Sequence, residues 1–153
     1  MTSIEQIIRR LKHEGQKFGI VLNAPAPTSE LQDLKEKLGV ELPSDISDFY
    51  KVCNGFESED HLFRMIPIRE IIDEKSEFGN RTFDFAEYLI YSDTWSIRLD
   101  GTFYEIINSN HGTENPVVLS NSLSSFLDKY LTGTGVFGGQ SLYNWANEIR
   151  YGK

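Results

Sequence analysis

Cysteine is nearly absent: Cys53 is the one cysteine in 153 residues, so no disulfide can close within the chain and no cysteine pair is available for zinc. Histidine is scarce as well. His13, His61 and His111 share no metal-ligand spacing, and no metal is expected. No stretch approaches the ~18 apolar residues of a membrane span, and the first ten residues alternate polar and apolar positions without the apolar run of a secretory signal. The expected location is therefore the cytoplasm, with no membrane contact, and Asn80-Arg81-Thr82 reads as a chance match to a glycosylation sequon. Cations are also in short supply: 15 Lys and Arg face 23 Asp and Glu, leaving a net charge of -8. Affinity for nucleic acid comes largely from Lys and Arg displacing condensed counterions, so direct nucleic-acid binding is not expected. The acidity suits a basic protein partner; it also suits a domain whose charge merely keeps it in solution.

What is present is a 39% apolar share, enough for one core, and the expectation is a single domain over residues 1–153. Ile4, Ile7, Ile8 and Leu11 mark one face of a helix running from about Ser3 to Lys17, with Thr2 and Glu5 in the form of a capping box. A second helix is expected from Ser29, with Gln32 closing another box, through Leu31, Leu34 and Leu38 to a stop at Gly39. Between them, Phe18 to Pro27 reads as loop or short strand. Pro43 presets a third helix whose apolar face is Ile46, Phe49, Tyr50 and Cys53 and which Asn54-Gly55 ends.

The hydrophobic period then shifts towards two. Leu62 to Ile66, Tyr88 to Tyr91, Trp95 to Leu99, Phe103 to Ile107 and Val117 to Leu119 read as strands, and Asp100-Gly101 as a tight turn. Ile68 to Asp73 reads as a short helix, and Glu74 to Arg81 as an exposed loop. Helical spacing returns near Asn121 and again at Gln140. Helices, a run of strands, and helices again imply an α+β fold with a central, mostly antiparallel sheet.

No set of residues equipped for catalysis stands out. Gly133-Thr134-Gly135-Val136-Phe137-Gly138 has dinucleotide-fingerprint spacing, but it follows a helix instead of a strand, and the chain stops before a ribose-binding acid could follow, so no cofactor is expected. Cys53 lies in the last turn of its helix, where the macrodipole disfavours a thiolate; it reads as core. Candidate partner contacts are the acidic run Glu57, Glu59 and Asp60, read as a loop, together with Asp93 and Trp95. Trp95 shares a strand face with Ile97 and Leu99 and so reads more as core than as contact surface, although a half-exposed tryptophan is a good interface anchor.

Leu42-Pro43-Ser44-Asp45, then Phe49-Tyr50 and Asn54-Gly55, resembles the signature of the SUKH superfamily, the group of SMI/KNR-type cell-wall regulators. A preceding helix like Ser29 to Leu38, a strand ending in Leu99-Asp100, an aromatic strand at Phe103-Tyr104 and a late helix at Ser122 to Leu127 follow the same order, so the resemblance covers about Ser29 to Leu131. It implies an α+β fold and, for bacterial members, an immunity protein that binds and neutralises a toxin, frequently a nuclease. A basic toxin domain is the partner this implies, met by an acidic surface. Leu42, Pro43, Phe49, Tyr50, Asn54 and Gly55 would then carry the shared scaffold more than the binding face. Two other readings stay open: a regulatory scaffold of the cell-wall type, and a small-ligand domain with a pocket lined by Tyr91, Trp95 and Tyr104.

Overall fold

In the computed structural model of the chain, the described residues are 3–14, 19–58, 63–73, 81–88, 93–101, 103–108, 117–132 and 142–151. Helix α1, Ile4–Glu14, buries Ile4, Ile7, Ile8 and Leu11. Its capping box lies one residue beyond the expected pair: Ser3 Oγ accepts from the Gln6 amide at 3.2 Å, and Gln6 Oε1 accepts from the Ser3 amide at 2.9 Å. Thr2 of the expected Thr2–Glu5 pair lies outside the described residues. Helix α2, Thr28–Leu38, starts one residue earlier than expected and has no side-chain cap, so the Ser29–Gln32 box does not form. The Pro27 carbonyl accepts from Glu30 and Leu31 there instead. Its end is as expected: Gly39 takes φ +73° and donates to the Lys35 carbonyl. Helix α3, Ser44–Val52, buries Ile46, Phe49 and Tyr50, and the Asp45 carboxylate accepts from the Ile46 amide.

Seven strands follow one another in a single antiparallel meander: β1 Ile20–Leu22, β2 Phe56–Ser58, β3 Phe63–Met65, β4 Thr82–Tyr88, β5 Asp93–Asp100, β6 Phe103–Asn108 and β7 Val117–Ser120. Helix α4, Ile68–Asp73, links β3 to β4, while α5, Leu123–Thr132, and α6, Leu142–Tyr151, follow the sheet. The fold is α+β. Two strands depart from the sequence reading. Strand β2 occupies part of what read as an acidic loop, and β4 starts at Thr82, six residues ahead of the expected Tyr88. The acids that mask β4 have cross-strand partners, for Asp84 accepts from the Ser96 hydroxyl and Glu87 from Arg64. A register shift between Asp84 and Ala86 then lets Phe83, Phe85 and Ala86 all be buried. Asp100 pairs with Phe103 across a turn in which Gly101 has φ +63°, as Asp100-Gly101 implied.

One sheet face meets α5. Phe63 stacks on Tyr130 at 4.5 Å between ring centroids and meets Trp95 edge-on at 5.4 Å, while Phe85 meets Phe126 edge-on at 5.2 Å. Helix α1 packs on α5 and α3, and Arg10 pairs with Asp128 of α5.

Candidate recognition surface

The residues of the resemblance motif meet at the junction of α3 with the sheet. Leu42, Phe49, Tyr50 and Gly55 are buried there. Tyr50 sits at the end of the apolar stripe of α3, and its hydroxyl donates to the Ile66 carbonyl at 2.9 Å. Burial drives its proton affinity above the ordinary tyrosine range. Asn54 works in three directions: its side-chain oxygen accepts from the Ile68 amide that opens α4, its carbonyl accepts from the Asn23 side chain, and its amide donates to Ala24. Gly55 has φ +82°, and a Cβ there would lie 2.3 Å from the Met65 carbonyl oxygen. Pro43 occupies the N-cap position of α3. These residues are fully engaged in holding β1, β3, α3 and α4 together.

The candidate contacts separate. Glu57 is exposed in the middle of β2. Glu59 and Asp60 lie outside the described residues, as do His61, His111, Tyr91 and the Gly133 to Gly138 motif. Asp93 and Trp95 are corrected, because both are interior, 2% and 0% exposed. Asp93 accepts from the Thr94 amide and, at 3.3 Å, from Asn108 on β6, so the polar Ser92-Asp93-Thr94 run conceals a buried carboxylate. Trp95 is surrounded by Phe63 and Phe126, and its core reading is the right one. Of the side chains expected to line a ligand pocket, Trp95 and Tyr104 are buried. The Tyr104 hydroxyl is engaged in donating to Asp45 and accepting from the Leu123 amide at 2.6 Å, which ties β6 to the starts of α3 and α5. Burial, then Asp45, raises its proton affinity. Cys53 is 1% exposed, its thiol pushed up to about 11 by burial.

Strand pairing builds the remaining surface. Directly opposed residues share a face, so the face turned away from α5 carries a continuous cross-strand row: Val21, Glu57, Arg64, Glu87 and Thr94. A second row sets Asp84, Ser96, Ile107 and Val118 side by side, and a third sets Thr82, Arg98 and Glu105. This face is open at Val21, Glu57, Val118 and Phe103, the last 74% exposed. Arg64 is gripped by Glu87 across the strand and by both carboxylate oxygens of Glu70 from α4. The hydrogen bond to Glu70 is the main reason its proton affinity is raised. Arg98 pairs with Glu105 at 2.6 Å. This surface went unseen in the sequence because β2 and the first half of β4 were not read as strands, and without their register Glu57, Arg64 and Glu87 have no common row. The alternation in Thr82-Phe83-Asp84-Phe85 was the available signal.

No helix among the described residues is long and apolar enough to cross a membrane, and no group of three or more His, Cys, Asp or Glu among them could hold a metal ion. A search of the curated proteins returns no match. The family model of the SMI1 / KNR4 family (SUKH-1) matches residues 25–129, from just before α2 to within α5, more than half of the chain. With the motif residues placed at one structural junction and the match spanning β2 to β7, the chain belongs to the SMI1 / KNR4 family (SUKH-1).

Proposed function

We propose that this chain is an immunity-type binding protein of the cytoplasm that neutralises a cognate toxin, a nuclease being the class that suits it, by covering the toxin's basic site with an acidic surface, and that it acts without catalysing a reaction. The observation that carries this reading is the division of labour within the family match. The motif residues Leu42, Phe49, Tyr50, Asn54 and Gly55 are engaged in the scaffold, which leaves recognition to the surface, and the chain as a whole carries a charge of -8. A nuclease site that grips phosphates is necessarily basic, and opposite charge speeds encounter and discriminates partners. The test is co-expression with the toxin domain encoded by the adjacent gene. Growth is expected to be rescued and a complex isolated whose association slows as salt rises. Toxicity that persists with the chain abundantly folded in the same cells, and no complex on gel filtration, would refute the proposal.

A further inference from the structure

An excess of acid gathers between α2 and α4. Arg69 of α4 reaches across to α2, pairing with Asp33 at 2.7 Å and Glu30 at 3.4 Å, and Asp73, one turn further along α4, adds a third carboxylate to its field. Three negative charges thus meet one guanidinium. Between the two helices lies an open groove of about 340 Å³ lined by Asp33, Glu36, Lys37, Arg69 and Ile72, the last half-buried against the core. Glu36 is exposed, one turn on from Asp33, and it also lines a second groove along α2, where Lys35 is matched by Glu41 at 3.4 Å. Among the described side chains around the first groove, Glu30, Asp33, Glu36 and Asp73 stand against Arg69 and Lys37, which leaves two negative charges uncompensated.

Resting on the binding reading above, we infer that the groove between α2 and α4 is where the toxin's basic site docks, receiving a Lys or Arg side chain whose stem lies along Ile72 and whose charge meets Asp33, Glu36 and Asp73. The lining selects this occupant. Its one apolar side chain suits an aliphatic stem and its excess charge a cationic head, the two halves of a long basic residue. Among the described residues no three carboxylates come together closely enough to hold a metal ion, so a cation reaching in from a partner suits these dispersed acids better than a compact ion. A second copy of this chain, itself at -8, is repelled. The groove is also set before a partner arrives, because Arg69 holds Glu30 and Asp33 in place and Ile72 packs on the core, which lowers the ordering cost of association. Lys37 is the competing cation built into the groove.

The test uses the full chain and the toxin domain encoded by the adjacent gene, with affinity measured by calorimetry at low and high salt. Glu36→Lys and Asp73→Lys are each expected to weaken binding by roughly tenfold and to flatten the salt dependence. Lys37→Ala, which removes the competing cation, is expected to tighten binding about threefold, a gain that a damaged fold would not produce. The same charge changes on α1, Glu5→Lys and Arg9→Ala, are expected to stay within about twofold of the parent. Thermal melts keep the comparison to folded protein, and Glu36→Gln replaces the lysine variant if that one melts early. Groove variants that bind like the parent, α1 variants that shift affinity as much, or a Glu36-dependent dimer of the chain alone on gel filtration overturn this inference and leave the functional reading standing. Absence of any complex with the unsubstituted chain overturns the functional reading, and this inference with it.

Discussion

Gly55 shows how much one residue can be required to do. Its φ of +82° is strained for any side chain, and a methyl group would lie against the Met65 carbonyl oxygen, a backbone atom with no rotamer to move. Gly55→Ala is expected to cost about 3 kcal/mol and to lower Tm by roughly 5–10 °C, whereas Gly39→Ala, with open space around its Cβ, should cost only the ~1 kcal/mol of a left-handed alanine. Melting curves of the two variants decide this; equal losses would show that the close approach to Met65 is immaterial. Cys53 is the second case. Its thiol is buried, bonded to the Gly55 carbonyl, and raised from 9.0 to about 11 by burial. Because the folded value lies above the unfolded one, the thiol's contribution is complete below pH about 9 and is lost as pH climbs towards about 11. Denaturant midpoints should therefore fall across that window, with a shallower fall in Cys53→Ala, and thiol reagents should label the native chain no faster than it opens. Rapid native labelling would contradict the burial.

Among the elements, the helix ends separate what local pattern can decide from what packing decides. Ser3–Gln6 and Ser29–Gln32 both have the spacing of a capping box, yet of these two only Ser3–Gln6 closes. Ser3→Ala is expected to destabilise by about 1 kcal/mol and Ser29→Ala by less than about 0.5 kcal/mol, measured by urea unfolding. A larger loss at Ser29 would mean that its side chain caps α2 after all. The strands follow the same logic. Apolar runs such as Trp95 to Leu99 and Phe103 to Ile107 announce themselves, whereas β2, three residues long with Glu57 at its centre, exists because β1 and β3 pair on either side of it. In β4 the acids Asp84 and Glu87 hide the alternation until Ser96 and Arg64 are seen opposite them.

For the molecule as a whole, one sheet in unbroken order and one apolar cluster from Ile4 to Ala146 support treating the chain as a single folding unit. Unfolding is expected to be one cooperative transition, with calorimetric and van't Hoff enthalpies in agreement; two resolved transitions would divide the unit. At this scale the contributions of sequence and structure separate. Composition and periodicity by themselves determined the acidic character, the α+β class, the helix faces and Cys53 as core, because these depend on residue type and near neighbours, and the run from Leu42 to Gly55 carried the family resemblance. Only the tertiary structure decided that Asp93 and Trp95 are interior and that Glu57, Arg64 and Glu87 form one row. A residue's face in a sheet depends on the register of strands far away in sequence, and a one-residue slip reverses it. Burial of a carboxylate such as Asp93 likewise depends on a partner, Asn108, supplied by the next strand.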